Sequence, residues 1–170
     1  GAYPTPPREG CPPPDVIDAL ARRERPVDDP EWRHVFKCSP CYREVRALSA
    51  ALGARLSDAD ATCQSMPDAS PVNWHLAHTT WFFEAFVLRD HVPGYRLFDA
   101  HYHYLFNSYY EGEGPRLARP LRGMLTRPSL EDVRAYRAYV DEAIGHALPL
   151  LEPAAPTLVA LGLQHDQQHQ

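Results

Sequence analysis

Apolar positions recur at helical spacing in four stretches of the chain. The first starts at Cys41 and runs to about residue 56 through Val45, Leu48, Leu52 and Leu56. The second opens at Ser70-Pro71, an N-cap followed by proline at the first helical position, and should stop near Asp90, before Pro93-Gly94. The third begins at Ser129, with Asp132 placed as the reaching-back acid of a capping box. Its stripe is Val133, Tyr136, Val140, Ile144 and Leu148. Pro156 opens the fourth. Four amphipathic helices joined in this order predict an all-α chain built as a four-helix bundle.

The segments outside the helices differ in character. Residues 1–30 hold eight of the eighteen prolines, Pro12-Pro13-Pro14 among them, so no long helix fits before Asp15. A short helix over Asp15–Arg25, closed by Pro26, is expected. Residues 92–128 form a long connection, first aromatic and then arginine-rich; loops of that length in compact domains tend to be functional.

Composition narrows the function classes. A length of 170 residues suits one packed domain with an appendage, and 44% hydrophobic with 23% charged residues is ordinary for a globular protein. A net charge of −5 supplies no basic footprint for nucleic acid. No apolar run reaches the ~18 residues of a membrane span and no signal peptide is visible, so a cytoplasmic protein is expected. The chain starts at Gly1 and stops just after His169 within a helical pattern, which reads as a piece of a longer protein.

The candidate chemistry lies in the histidines. His165 and His169 stand four apart, on one face of the fourth helix, as a metal requires of a single helix. Spacing alone leaves this pair open between ligation and a solvated polar helix end. A third imidazole comes from the second helix, where His75 and His78 could share a face. His78 lies one turn from both Trp74 and Phe82, on the more apolar side, and is the choice. Three neutral imidazoles without a fourth protein ligand leave coordination positions for substrates. Ligand nitrogens about 2.0–2.1 Å from one metal must lie within about 3 to 4 Å of each other. His75, His91, His101, His103 and His146 are read as ordinary surface or core residues.

Longer motifs add a family resemblance. Ser70-Pro71-Val72-Asn73-Trp74-His75-Leu76-Ala77-His78-Thr79-Thr80-Trp81-Phe82-Phe83-Glu84 resembles the first signature of the sulfoxide synthases of ergothioneine biosynthesis, the hercynine oxygenases. Phe106-Asn107-Ser108-Tyr109-Tyr110, Arg119-Pro120-Leu121-Arg122-Gly123 and Arg127-Pro128-Ser129 resemble that family's middle block, and residues 161–169 resemble its helix with two iron ligands. The similarity spans about residues 42–170. It implies a DinB-like bundle binding non-haem iron(II) through His78, His165 and His169. It further implies that Arg119 and Arg122 hold the carboxylates of a thiol substrate, cysteine or γ-glutamylcysteine, and that Gln168 lies on the hercynine side. The implied reaction joins sulfur to hercynine with oxygen and yields a sulfoxide. Asp166 stands where the family usually has Glu and is expected to face away from the metal. The family's second domain, resembling the formylglycine-generating enzyme, supplies a catalytic tyrosine and part of the pocket. It is absent from residues 1–170, so no catalytic proton donor is expected here.

The front segment carries a second motif. His34-x3-Cys38-x2-Cys41 resembles the zinc signature of zinc-binding anti-sigma factors, with Cys11 placed as a fourth ligand. A Cys3His set is a closed structural zinc site, and clustered cysteines in a reducing cytosol favour metal over disulfides. Such a site needs tetrahedral edges of roughly 3.5 to 4 Å. Cys63 is read as a small apolar residue without a partner. The expected organisation is therefore a Pro-rich zinc-motif segment over 1–41 and the metal-binding bundle over 42–170. Alternatives are an anti-sigma-like zinc regulator, a DinB-like thiol transferase with the same three histidines, and a selenoneine synthase.

Overall fold

The structure is a computed structural model, described over residues 8–151 and 155–170. Every regular element among these residues is helical. The eight α-helices are α1 (Pro14–Ala21), α2 (Trp32–Val35), α3 (Ser39–Leu52), α4 (Asp58–Thr62), α5 (Val72–Phe83), α6 (Tyr102–Phe106), α7 (Leu130–Ala147) and α8 (Ala155–Gln168). α5 continues into a π-helical stretch, Glu84–Arg89. None of these helices is long and apolar enough to cross a membrane.

The long helices α3, α5, α7 and α8 form the bundle around one core. α5 runs through its middle: ten of its twelve residues are buried, from Asn73 to Phe83 with only His75 left part-exposed. A helix apolar on nearly every side belongs in the interior, and α5 packs against α7, α8 and α6. α7 buries the predicted stripe Val133, Tyr136, Val140 and Ile144, with Leu148 buried in the 3₁₀ turn that follows, and the predicted capping box of Ser129 and Asp132 is formed in both directions. Gly162 lets α8 approach α5: a Cβ there would lie 2.6 Å from the Phe83 ring. One turn later α8 presents His165.

Two expected boundaries move for physical reasons. α3 begins at Ser39 and ends at Leu52, which is 59% exposed, rather than running to residue 56. Its buried face is Cys41, Tyr42, Val45, Arg46 and Ser49, because Arg46 and Ser49 turn inward to a buried carboxylate on α8. At the start of α5 the N-cap is Pro71, and Ser70 caps nothing; its hydroxyl accepts from Arg122 instead. The connection 92–128 is not structureless: it holds α6 and 3₁₀ turns at Glu111–Glu113 and Arg119–Met124.

The front segment packs on the bundle. Ile17, Leu20, Trp32 and Val35 join the same core as α3 and α5. The short α1 lies against α3, shorter than expected because the chain turns at Arg22, with Arg23 at positive φ.

Candidate metal centre

Three histidines converge where the middle of α5 meets the C-terminal end of α8. His78 comes from mid-α5, His165 from the last turns of α8, and His169 from the residue after its end. Their ring centroids form a near-equilateral triangle with sides of 4.8, 5.0 and 4.7 Å. One ligand nitrogen from each lies within 4.8 Å of the others, and the Nε2 atoms of His165 and His169 are 3.1 Å apart. The His165–His169 separation falls within the 3 to 4 Å expected around a bound ion.

The protonation pattern follows from the partners. His78 Nδ1 lies 2.6 Å from the carbonyl oxygen of Phe106, which can only accept, so Nδ1 carries the proton and Nε2 is left as a lone pair. Outer partners of this kind fix the orientation and basicity of a ligating histidine. Burial, with repulsion from His165, holds His78 well below the ordinary histidine value. Burial holds His165 at about 4, and burial together with His165 holds His169 at about 4. All three are neutral at pH 7, the form a metal binds.

His75, read as an ordinary residue, sits beside the cluster. Its Nδ1 is 2.6 Å from Nδ1 of His169, so one proton is shared between them. With that proton on His169, its Nε2 lone pair faces His165. The three-residue spacing to His78 was the only sequence signal for this role. His165 Nδ1 is buried with no partner among the described residues. Two Nε2 atoms facing each other at 3.1 Å, both able to present lone pairs, fit a cation between them.

Asp166 does face away from the cluster, but it is fully buried rather than idle. It accepts from Ser49 Oγ at 2.7 Å and from Arg46 and Arg137 at 3.3 Å, and Arg46 also reaches Asp141 at 2.6 Å. The two guanidiniums overcome the cost of burial and hold its carboxyl far below the usual range. This network anchors α8 to α3 and α7 at the histidine pair. No sequence period marks it.

A cavity of about 500 Å³ opens on the histidines, lined among others by Trp74, Ser108, Tyr109, Arg119, Arg122 and Gln168. Arg122 is 4% exposed. Its guanidinium stacks over Trp74 at 3.5 Å and donates to Ser70 Oγ at 2.8 Å and Ser108 Oγ at 3.2 Å. Its Nε is buried without a partner, and it forms no ion pair among the described residues. Burial lowers it to about 10, with Arg119 and Arg116 adding repulsion. A buried, uncompensated cation favours an anionic ligand. Arg119 lies over Tyr109, its Nη1 bonded to the Asp68 carbonyl at 3.3 Å. Gln64 shapes this rim by donating to Arg119 O at 2.9 Å and accepting from Gly123 N at 2.7 Å. Gln168 is exposed at the cavity wall.

The front residues also converge. Cys11, His34, Cys38 and Cys41 each place one ligand atom within 4.8 Å of the others, and the Sγ atoms of Cys11 and Cys38 are 3.6 Å apart. Cys38 is the N-cap of α3 and Cys41 lies in its first turn. Burial and the adjoining thiols push Cys41 up, and His34 Nε2 is buried without a partner among the described residues. Three crowded thiols with an orphaned imidazole nitrogen fit a soft cation. Cys63, by contrast, is exposed and packs in no core.

Comparison with protein families decides the relationship: the model of the DinB superfamily matches residues 42–170. The chain belongs to the DinB superfamily. No curated protein matches it significantly. The DinB match covers α5, α7, α8 and all but the first turn of α3, and with them every histidine of the triangle.

Proposed function

We propose that this DinB-superfamily chain is the metal-binding part of an iron(II)- and oxygen-dependent enzyme that joins a cysteine-type thiol to hercynine, giving a sulfoxide. The observation that carries the reading is the three-histidine triangle opening onto a cavity with the buried, uncompensated Arg122. His78, His165 and His169 would hold the iron, which when bound supplies the oxygen-dependent redox chemistry of carbon–sulfur bond formation. His75 and the Phe106 carbonyl hold two of the imidazoles in orientation. Arg122, backed by Trp74, and Arg119 at the rim would fix the carboxylate of cysteine or γ-glutamylcysteine, with the thiol directed at the histidines. Gln168 at the cavity wall would face hercynine. Cys11, His34, Cys38 and Cys41 would hold a structural zinc.

The reading includes a partner domain resembling the formylglycine-generating enzyme, which would supply the proton donor and close the pocket. Exposed apolar side chains beside the arginines, Leu121 at 46% and Met124 at 75%, support such a covering surface. The test combines the iron-loaded chain with hercynine, a thiol and oxygen, with and without that domain, and reads products by mass spectrometry. Sulfoxide is expected only with the domain present. Oxygen-independent thiol transfer by a zinc-loaded chain would favour a DinB-like thiol transferase, and no dependence on Arg122 would refute the assigned thiol site.

A further inference from the structure

The front ligand cluster is connected to the histidine-bearing helix α8 through α1. Cys11 precedes α1, and the other three front ligands belong to α2 and the start of α3, so a metal held there ties α1 to α3. α1 has eight residues and three prolines before or within its first turn, and a helix of that length is not stable alone. Its far end meets α8. Gln167, between His165 and His169, donates its side-chain amide to the carbonyls of Leu20 at 2.6 Å and Ala21 at 3.1 Å. The Ala21 carbonyl has no backbone partner among the described residues, and the Leu20 carbonyl accepts from Arg23 N–H at 3.1 Å as well. Gln167 is 5% exposed, so losing them would strand a buried amide in the turn that carries the histidine pair.

We infer that zinc bound by Cys11, His34, Cys38 and Cys41 acts as a clip that holds α1 over α8, and that through Gln167 it sets the metal affinity of the three-histidine site. The inference rests on the proposed metal reading of both clusters. With the clip closed, α1 presents the Leu20 and Ala21 carbonyls in fixed positions and the last turns of α8 are held from three sides. Asp166 ties them to α3 and α7, Gln170 Nε2 reaches Ser49 at 2.9 Å, and Gln167 reaches α1. With the clip open, α1 keeps the apolar contacts of Ile17, Leu20 and Ala21 and the Gln167 hydrogen bonds but loses its tether to α3 at Cys11, and separates more often. Gln167 is then a positioning residue: it touches no reacting atom but steadies the helix that supplies two ligands. Groups bonded directly to metal ligands are worth about 10–100-fold in affinity; Gln167 acts one step further out, and that range is the scale against which its effect is read.

The test uses the whole chain, with Co(II) as the probe of the clip and anaerobic Fe(II) as the probe of the histidines. The wild-type chain should show the intense thiolate-to-cobalt absorption of a tetrahedral sulfur-rich site. Cys11→Ser should weaken that absorption, speed amide hydrogen exchange in both α1 and the last turns of α8, and lower zinc-loaded iron affinity about 10–100-fold. Gln167→Leu, which leaves every front ligand in place, should keep the thiolate absorption and show the same loss of iron affinity with faster exchange in α1. Absence of the thiolate band in the wild type would overturn the clip. Unchanged exchange in α8 and unchanged iron affinity in Cys11→Ser or Gln167→Leu would overturn the coupling. If the wild-type chain takes up no iron, the proposed function falls, while hydrogen exchange still decides whether the clip holds α1 on α8.

Discussion

Replacing Asp166 by Asn should destabilise the metal-free chain by about 3 kcal/mol. The substitution keeps the size of the side chain and removes the charge that Arg46 and Arg137 share. Removing one partner of a buried ion pair costs about 3–5 kcal/mol, because the remaining charge stays out of water. Arg46 keeps Asp141 at 2.6 Å, whereas Arg137 is left with Asp141 at 3.9 Å, so one guanidinium is stranded rather than two. That places the loss near the lower bound. For a chain of this length it corresponds to a fall of about 6–12 °C in Tm. Urea unfolding of both proteins without metal, at low and high salt, measures it. Burial shields the network, so added salt should leave the difference intact. The sign with pH follows from the depressed carboxyl. Its contribution is full above the unfolded value of about 3.9 and is lost as pH falls below it, so wild type and variant should converge only in acid. A difference under about 1 kcal/mol, or one that salt abolishes, would mark an exposed pair and refute the buried-network account.

Arg122→Met should raise the Tm of the ligand-free chain, by removing an uncompensated buried cation, while abolishing the dependence of thiol binding on a carboxylate. Thermal unfolding and competition between cysteine and cysteamine check the two halves. Acidification should weaken the metal-free fold between pH 6.5 and about 4: His75, His165 and His169 sit near 4 when folded, so only the unfolded chain takes up protons in that window. Urea midpoints at pH 7 and pH 5 should therefore differ more in wild type than in His165→Ala. Gly162→Val should push α8 off the Phe83 ring and reduce iron affinity at least tenfold, and an anaerobic titration that finds no change would contradict the close approach.

The bundle was legible because its helices advertise themselves. The capping box at Ser129 and the α7 stripe needed only local chemistry and period, and both appear in the fold. α3 was harder. Arg46 and Ser49 are polar, so a reading by hydropathy turned Leu52 inward, whereas pairing with Asp166 turns the polar face inward. The same blindness hid the role of Asp166, since a buried charge is stabilised by partners 29 to 120 residues away that carry no local signal. At the candidate site, the i, i+4 spacing brought out His165 and His169, and the choice of His78 over His75 rested on one helical turn of apolar neighbours. The structure brings those three together and sets His75 behind His169. The Arg122 cradle of Ser70, Ser108 and Trp74 joins three segments and could not be read from any one of them.

The central claim is that one metal is held by three histidines from two helices, with His75 behind them. It is tested most directly by anaerobic Fe(II) titration of the zinc-loaded chain and its single alanine variants. One equivalent of iron is predicted for the wild type, none for His78→Ala, His165→Ala or His169→Ala, and one of lower affinity for His75→Ala. Retention of a full equivalent at unchanged affinity by His165→Ala would contradict the account.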